Sequence, residues 1–210
     1  MKQKLILIAT ISALYSCKNA TVIFEVSQPE NVKEQKEFPK KLIGTYYNPD
    51  ENSQLEIGKY FILKKITLDD TLKISELDKN ERIVNDTLYL LNSKVKYKIL
   101  KINDSLFSNY IYADTTFNLK KTYVLKKFKG YYFLNNKTDT DFWEVEKLSI
   151  NKGILQINGI KTIDEMNLME SITESKKDTT KPFRVKPPKK QFKAFIKQNG
   201  FTQGEIYIRQ

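Results

Sequence analysis

Few side chains in this sequence are equipped for chemistry, and the spacing of those few decides what can be asked of it. Among 210 residues there is no histidine and a single cysteine, Cys17. That removes Ser-His-Asp and Cys-His nucleophile systems and the usual zinc sites. No glycine-rich loop has the spacing of a phosphate or dinucleotide cradle. Three spellings remain. Ser149-Ile150-Asn151-Lys152 has the Ser-x-x-Lys form, but it falls where a strand runs into a turn, whereas acyl-enzyme chemistry places it at a helix start with partner motifs. Glu144 and Glu146 share one face of a strand ~7 Å apart, a separation that glycosidase carboxylates can have. Their alternation with Trp143 and Val145 reads first as a solvated face. Asn135, Asn136, Asp139 and Asp141 offer oxygens of the kind Ca²⁺ takes, without the spacing or the final bidentate Glu of an EF-hand loop. The expectation is a non-enzymatic protein with no catalytic residues, no metal site and no cofactor.

Charge is the more informative chemistry. The formal net charge is +11, and its distribution is lopsided. Residues 17–175 hold 24 basic and 23 acidic side chains, whereas residues 176–210 hold ten basic ones against Asp178 and Glu205. The excess belongs to the C-terminal region, so overall basicity gives no argument for nucleic acid, and none is expected as a partner. Lys189, Lys190, Lys193 and Lys197 fall on one side of a helix predicted over about 189–199, with Phe192, Phe195 and Ile196 on the other. Such a face could lie against anionic lipid or a phosphate-bearing envelope polymer. A plain solvated face over aromatics that cover the end of a sheet explains the same pattern. Tyr46, Tyr132 and Trp143 are the aromatics that could line a cavity for a small apolar ligand, and cross-strand packing accounts for them as well.

These residues need elements to hold them. From Leu42 to Ile160 the chain reads as successive strands with period-two alternation, as in Val95–Ile99 and Trp143–Glu146. Turn formers punctuate them, among them Asn48-Pro49-Asp50, Asn85-Asp86, Asn103-Asp104, Asn151-Lys152-Gly153 and Asn158-Gly159. The fold class expected is mainly β: an antiparallel barrel or sandwich with one or two C-terminal helices. Thr162-Ile163-Asp164-Glu165 has the form of a capping box, with Ile163, Met166, Met169 and Ile172 predicted on one helix face. Gly200 suits the left-handed position that ends the second helix, and Phe201 can fold back on its last turn. Residues 205–209 alternate as a closing strand. An internal echo links Leu42–Tyr47 to Phe128–Phe133 and Leu55–Ile57 to Trp143–Val145, which reads either as a duplicated hairpin or as two hairpins alike in composition.

At the N-terminus, Met1–Lys4 is positive, Leu5–Leu14 is a ten-residue apolar stretch, and Leu14-Tyr15-Ser16-Cys17 follows. Ten residues make only ~15 Å of helix, too short to span a bilayer. This start resembles the signal of bacterial lipoproteins, whose lipobox cysteine is lipidated and becomes the mature N-terminus. The resemblance implies cleavage before Cys17, anchoring through its lipid, and, because Lys18 is not aspartate, an outer-membrane address facing the periplasm. The chain then divides into a signal at 1–16, a lipid anchor and tether at 17–41, polar and carrying Pro29 and Pro39, and a β-rich globular domain at 42–210; within the tether Thr21–Val26 could be a short strand that docks on the domain. Gly44-Thr45-Tyr46-Tyr47 is similar to the Gly-x-aromatic opening of lipocalin-like proteins, which implies a β-barrel holding a small apolar or lipid-like ligand. That ligand-binding module is the first functional expectation. The alternative is an interaction or structural lipoprotein that engages another envelope component through its surface and basic C-terminal helix.

Overall fold

A computed structural model describes residues 22–92, 95–103, 106–175 and 182–210. Cys17, with the signal before it, lies outside the described residues. Along the chain run β1 (Val22–Phe24), β2 (Glu34–Gln35), β3 (Gly44–Asn48), β4 (Ser53–Ile57), β5 (Phe61–Lys73), β6 (Glu81–Val84), β7 (Thr87–Leu90) and β8 (Val95–Lys101). Then come β9 (Leu106–Asn118), β10 (Tyr123–Phe128), β11 (Tyr131–Lys137), β12 (Trp143–Asn151) and β13 (Ile154–Gly159). Helix α1 (Ile163–Thr173), β14 (Phe183–Val185), α2 (Lys189–Lys197) and β15 (Gln203–Arg209) complete the order. The architecture is mainly β, with antiparallel pairing that does not close on itself and two C-terminal helices.

The chain divides into two compact units rather than one domain beginning at residue 42. Of the described residues, unit 1 gathers those up to Glu34, those of Lys126–Leu148 and those of Ile157–Gly204; unit 2 gathers those of Gln35–Leu125, Ser149–Gln156 and Glu205–Gln210. Over its described part, 22–41 is not a free tether. Val22, Ile23, Phe24, Gln28 and Phe38 are all buried, because apolar side chains in a polar stretch gain more from a core than the chain loses in freedom.

In unit 1, β11 and β12 form an antiparallel hairpin that pairs Tyr132 with Leu148, Phe133 with Lys147 and Lys137 with Trp143. β1 joins it antiparallel through Phe24 opposite Trp143, and β14 pairs β1 in parallel, Val22 with Phe183 and Phe24 with Val185. Over this frame the helices bury an aromatic core. The Phe192 ring lies 5.1 Å from Phe133, 6.1 Å from Phe24 and 6.0 Å from Phe201, each edge-to-face. Phe195 packs on Phe201 at 5.3 Å. Such pairs add about 0.5–1.5 kcal/mol each beyond the burial of their area. Met169 is buried and Met166, Leu168 and Ile172 pack against the same cluster, but Ile163 is 70% exposed. It is the first residue of α1, and the turn there directs Glu165 inward instead. The end of α2 also differs from expectation. Asn199 takes the left-handed conformation (φ 58°) and Gly200 does not. Gly200 is required for another reason: a Cβ there would sit 2.4 Å from the Phe195 ring.

Unit 2 is a meander in which β15, β3, β4, β5, β9, β8, β7 and β6 pair in that order. Asn48 Oδ1 accepts from the amides of Asp50 and Glu51, fixing the β3–β4 turn, and Asn52 closes it at φ 46°. Lys152 and Gly153, both at positive φ, make the two-residue turn into β13. The internal echo does not carry through to register. Tyr46 pairs Leu55, whereas Tyr132 pairs Leu148, and Trp143, the echo of Leu55, pairs Lys137. Gly44 begins a strand, while Gly130 lies in the tight turn between β10 and β11.

Candidate functional site

The aromatic candidates do not converge. Tyr132 and Trp143 face opposite sides of the β11–β12 hairpin, since Trp143 pairs Lys137, an odd number of residues along from Tyr132. Trp143 packs against the phenylalanine core of unit 1, and Tyr132 is buried, which pushes its hydroxyl above the ordinary tyrosine range. Tyr46 belongs to unit 2 and is fully buried. Its hydroxyl donates to Leu42 O at 2.7 Å and accepts from Arg209 Nη2 at 2.7 Å. The same Nη2 donates to Lys41 O and Ile43 O, and the guanidinium lies 5.1 Å from the Tyr46 ring. Tyr46 is therefore spent on holding β15 to β3.

Of the residues read for catalysis or metal binding, Asn135 and Asp141 have side-chain partners of their own. Asn135 is fully buried: its Oδ1 accepts from Gln28 N, and its Nδ2 donates to Gln28 O and Phe133 O. Asp141 pairs with Lys137 Nζ at 2.7 Å, which together with the charge of that lysine holds its carboxyl low. Ser149 sits in β12 and Lys152 in the following turn, not at a helix start. Glu144 and Glu146 share a strand face opposite Asn136 and Leu134.

Polar clusters reaching beyond the predicted capping box brace each unit internally. Glu165 Oε2 accepts from the amides of Lys161 (2.8 Å) and Thr162 (2.9 Å), and Oε1 from the amide (2.6 Å) and hydroxyl (2.9 Å) of Thr202. Burial opposes its charge, but these donors outweigh burial and hold the carboxyl below the ordinary range. Lys126, 4% exposed, donates to Ser27 O and Pro29 O; burial lowers its ammonium, partly offset by Glu34 and Glu30. In unit 2, Lys64 bridges Glu51 (2.6 Å) and Glu205 (3.0 Å). Tyr207 donates to Glu205 at 2.5 Å, and burial followed by that carboxylate pushes its hydroxyl far up. These contacts tie β15 to β5 and to the β3–β4 turn.

The lysine face of α2 has no such internal use. Lys189, Lys190, Lys193 and Lys197 are all exposed, at spacings that set them along one side of the helix. Among the described residues none of the four has a carboxylate at ion-pair distance, and α2 itself carries no acidic residue. Lys189 Nζ stands 5.8 Å from the Phe128 ring, and the turn that follows Phe128 carries the exposed Lys129, whereas Lys127 stands over Tyr132 on the opposite face. Lys129 was not singled out by sequence reasoning; only the placing of a turn beside a helix brings it in. Lys189 and Lys190 occupy the first turn of α2, where the helix dipole disfavours cations by about 0.3–1 kcal/mol. Helix stability alone would place acids there.

No known protein family, curated protein or solved structure matches this chain.

Proposed function

We propose that this protein is a non-enzymatic lipoprotein of the bacterial envelope, anchored through Cys17, that works through its surface. Its basic face on α2 engages an anionic envelope component. One observation carries the reading. The aromatics of unit 1 are consumed in packing against one another, while the lysines above them are exposed and unpaired among the described residues. A cavity binder needs inward aromatics without partners, and Tyr46, Tyr132 and Trp143 are each occupied elsewhere. The lipobox resemblance of residues 1–17 supports the anchor and the outer-membrane address.

Native mass spectrometry of the purified mature chain tests this. The expected result is the mass of the lipidated protein alone. A further discrete adduct of lipid size, retained through gentle desolvation, would overturn the surface reading and restore a ligand-binding module.

A further inference from the structure

We infer that the α2 face docks on anionic phospholipid headgroups of the same leaflet that holds the Cys17 acyl chains, as a second and purely electrostatic anchor; this rests on the lipoprotein reading above. Two sets of observations carry it.

The first is position. Val22 is paired with Phe183, and two residues on Phe24 packs its ring 6.1 Å from Phe192 of α2. The chain between Cys17 and Val22 spans at most ~17 Å even when fully extended. A lipidated Cys17 therefore keeps β1 close to the leaflet, and α2 is the helix packed directly on β1. Beyond about one Debye length, ~8 Å at physiological salt, a charged surface is largely screened, so the tether acts by holding the lysine face where it repeatedly reaches contact range. A short tether also raises its effective concentration at that surface.

The second is chemistry. Phe192 and Phe195 are fully buried, so α2 has no apolar stripe left to insert between acyl chains. What it presents is Lys189, Lys190, Lys193 and Lys197, with Lys129 in the turn beside Phe128. That surface complements phosphate headgroups, and first-turn lysines that oppose the helix dipole find there the counter-charge that α2 itself lacks. One lipid plus one polybasic patch is the combination that turns marginal membrane attachment into stable attachment.

The test uses the mature chain, residues 17–210 with Cys17→Ser, so that neither the apolar signal nor acyl chains hold it, floated with phosphatidylcholine vesicles with or without phosphatidylglycerol at low and high salt. Binding is expected only to the anionic vesicles, and only at low salt. Adding Lys189→Gln, Lys190→Gln, Lys193→Gln and Lys197→Gln is expected to weaken it by about a factor of five per lysine, a few hundredfold in all, with an unchanged circular dichroism spectrum. Equal binding to both vesicle types overturns the inference, as does anionic binding that the four substitutions leave intact. Failure to float combined with retention on an immobilised anionic polysaccharide also overturns lipid docking, while leaving the surface-acting reading in place.

Discussion

Glu165→Gln probes the polar hub that joins the start of α1 to the segment before β15. The wild-type carboxylate is 3% exposed and accepts four hydrogen bonds, two on each oxygen. Glutamine keeps one oxygen, so its amide nitrogen must confront two of those donors. Each buried donor left unsatisfied costs about 1–3 kcal/mol, and partial rotation relieves some of it, so unit 1 should lose about 2–4 kcal/mol at neutral pH. The pH dependence follows from the lowered carboxyl. A depressed folded value means that the stabilisation is present above the unfolded carboxyl value near 4.3 and is lost as pH falls through the folded value. The gap between wild type and variant should therefore be full at neutral pH and shrink in acid. Urea unfolding followed by Trp143 fluorescence reads it, because this is the one tryptophan in the sequence and it packs in the unit 1 core. A loss below ~0.5 kcal/mol, within the range of ordinary surface substitutions, would refute the hub, as would a gap that does not change in acid.

Phe192→Ala removes the ring that meets Phe24, Phe133 and Phe201, and should cost about 3–5 kcal/mol by the same fluorescence assay; Phe192→Leu should cost clearly less. Cys17→Ser should abolish incorporation of labelled palmitate in cells and release the protein from the membrane fraction. Unchanged labelling would remove the lipoprotein reading altogether.

Much of the fold is legible because local rules and tertiary packing agree. The Thr162–Glu165 capping box forms as its spelling predicts, since both of its hydrogen bonds lie within one helical turn. The apolar stripe of α2 is buried at Phe192 and Phe195, and Phe201 does fold back on it. Gly200 shows the limit. A glycine after a helix suggests a left-handed cap, yet here Asn199 supplies the turn and Gly200 makes room for a ring, which only the packing of Phe195 reveals. Ile163 fails similarly, because helical spacing marks a face without fixing where that face ends.

The sequence by itself determined the β-rich class, both helices, the concentration of positive charge at the C-terminus and the lack of histidine chemistry. These depend on composition, alternation and short-range capping. Tertiary structure alone decided that Gln28 and Phe38 join the strand at Val22–Phe24 in being buried, that Tyr132 and Trp143 face apart, and that Glu165 and Lys126 are buried hubs while Lys64 is a half-buried one. Each of those rests on partners distant along the chain: Glu165 meets Thr202, Lys126 meets Ser27, and Asn135 meets Gln28. A lysine or glutamate costs too much to bury until such partners are assembled around it. Nothing local in the sequence marks which of 36 basic residues will find them.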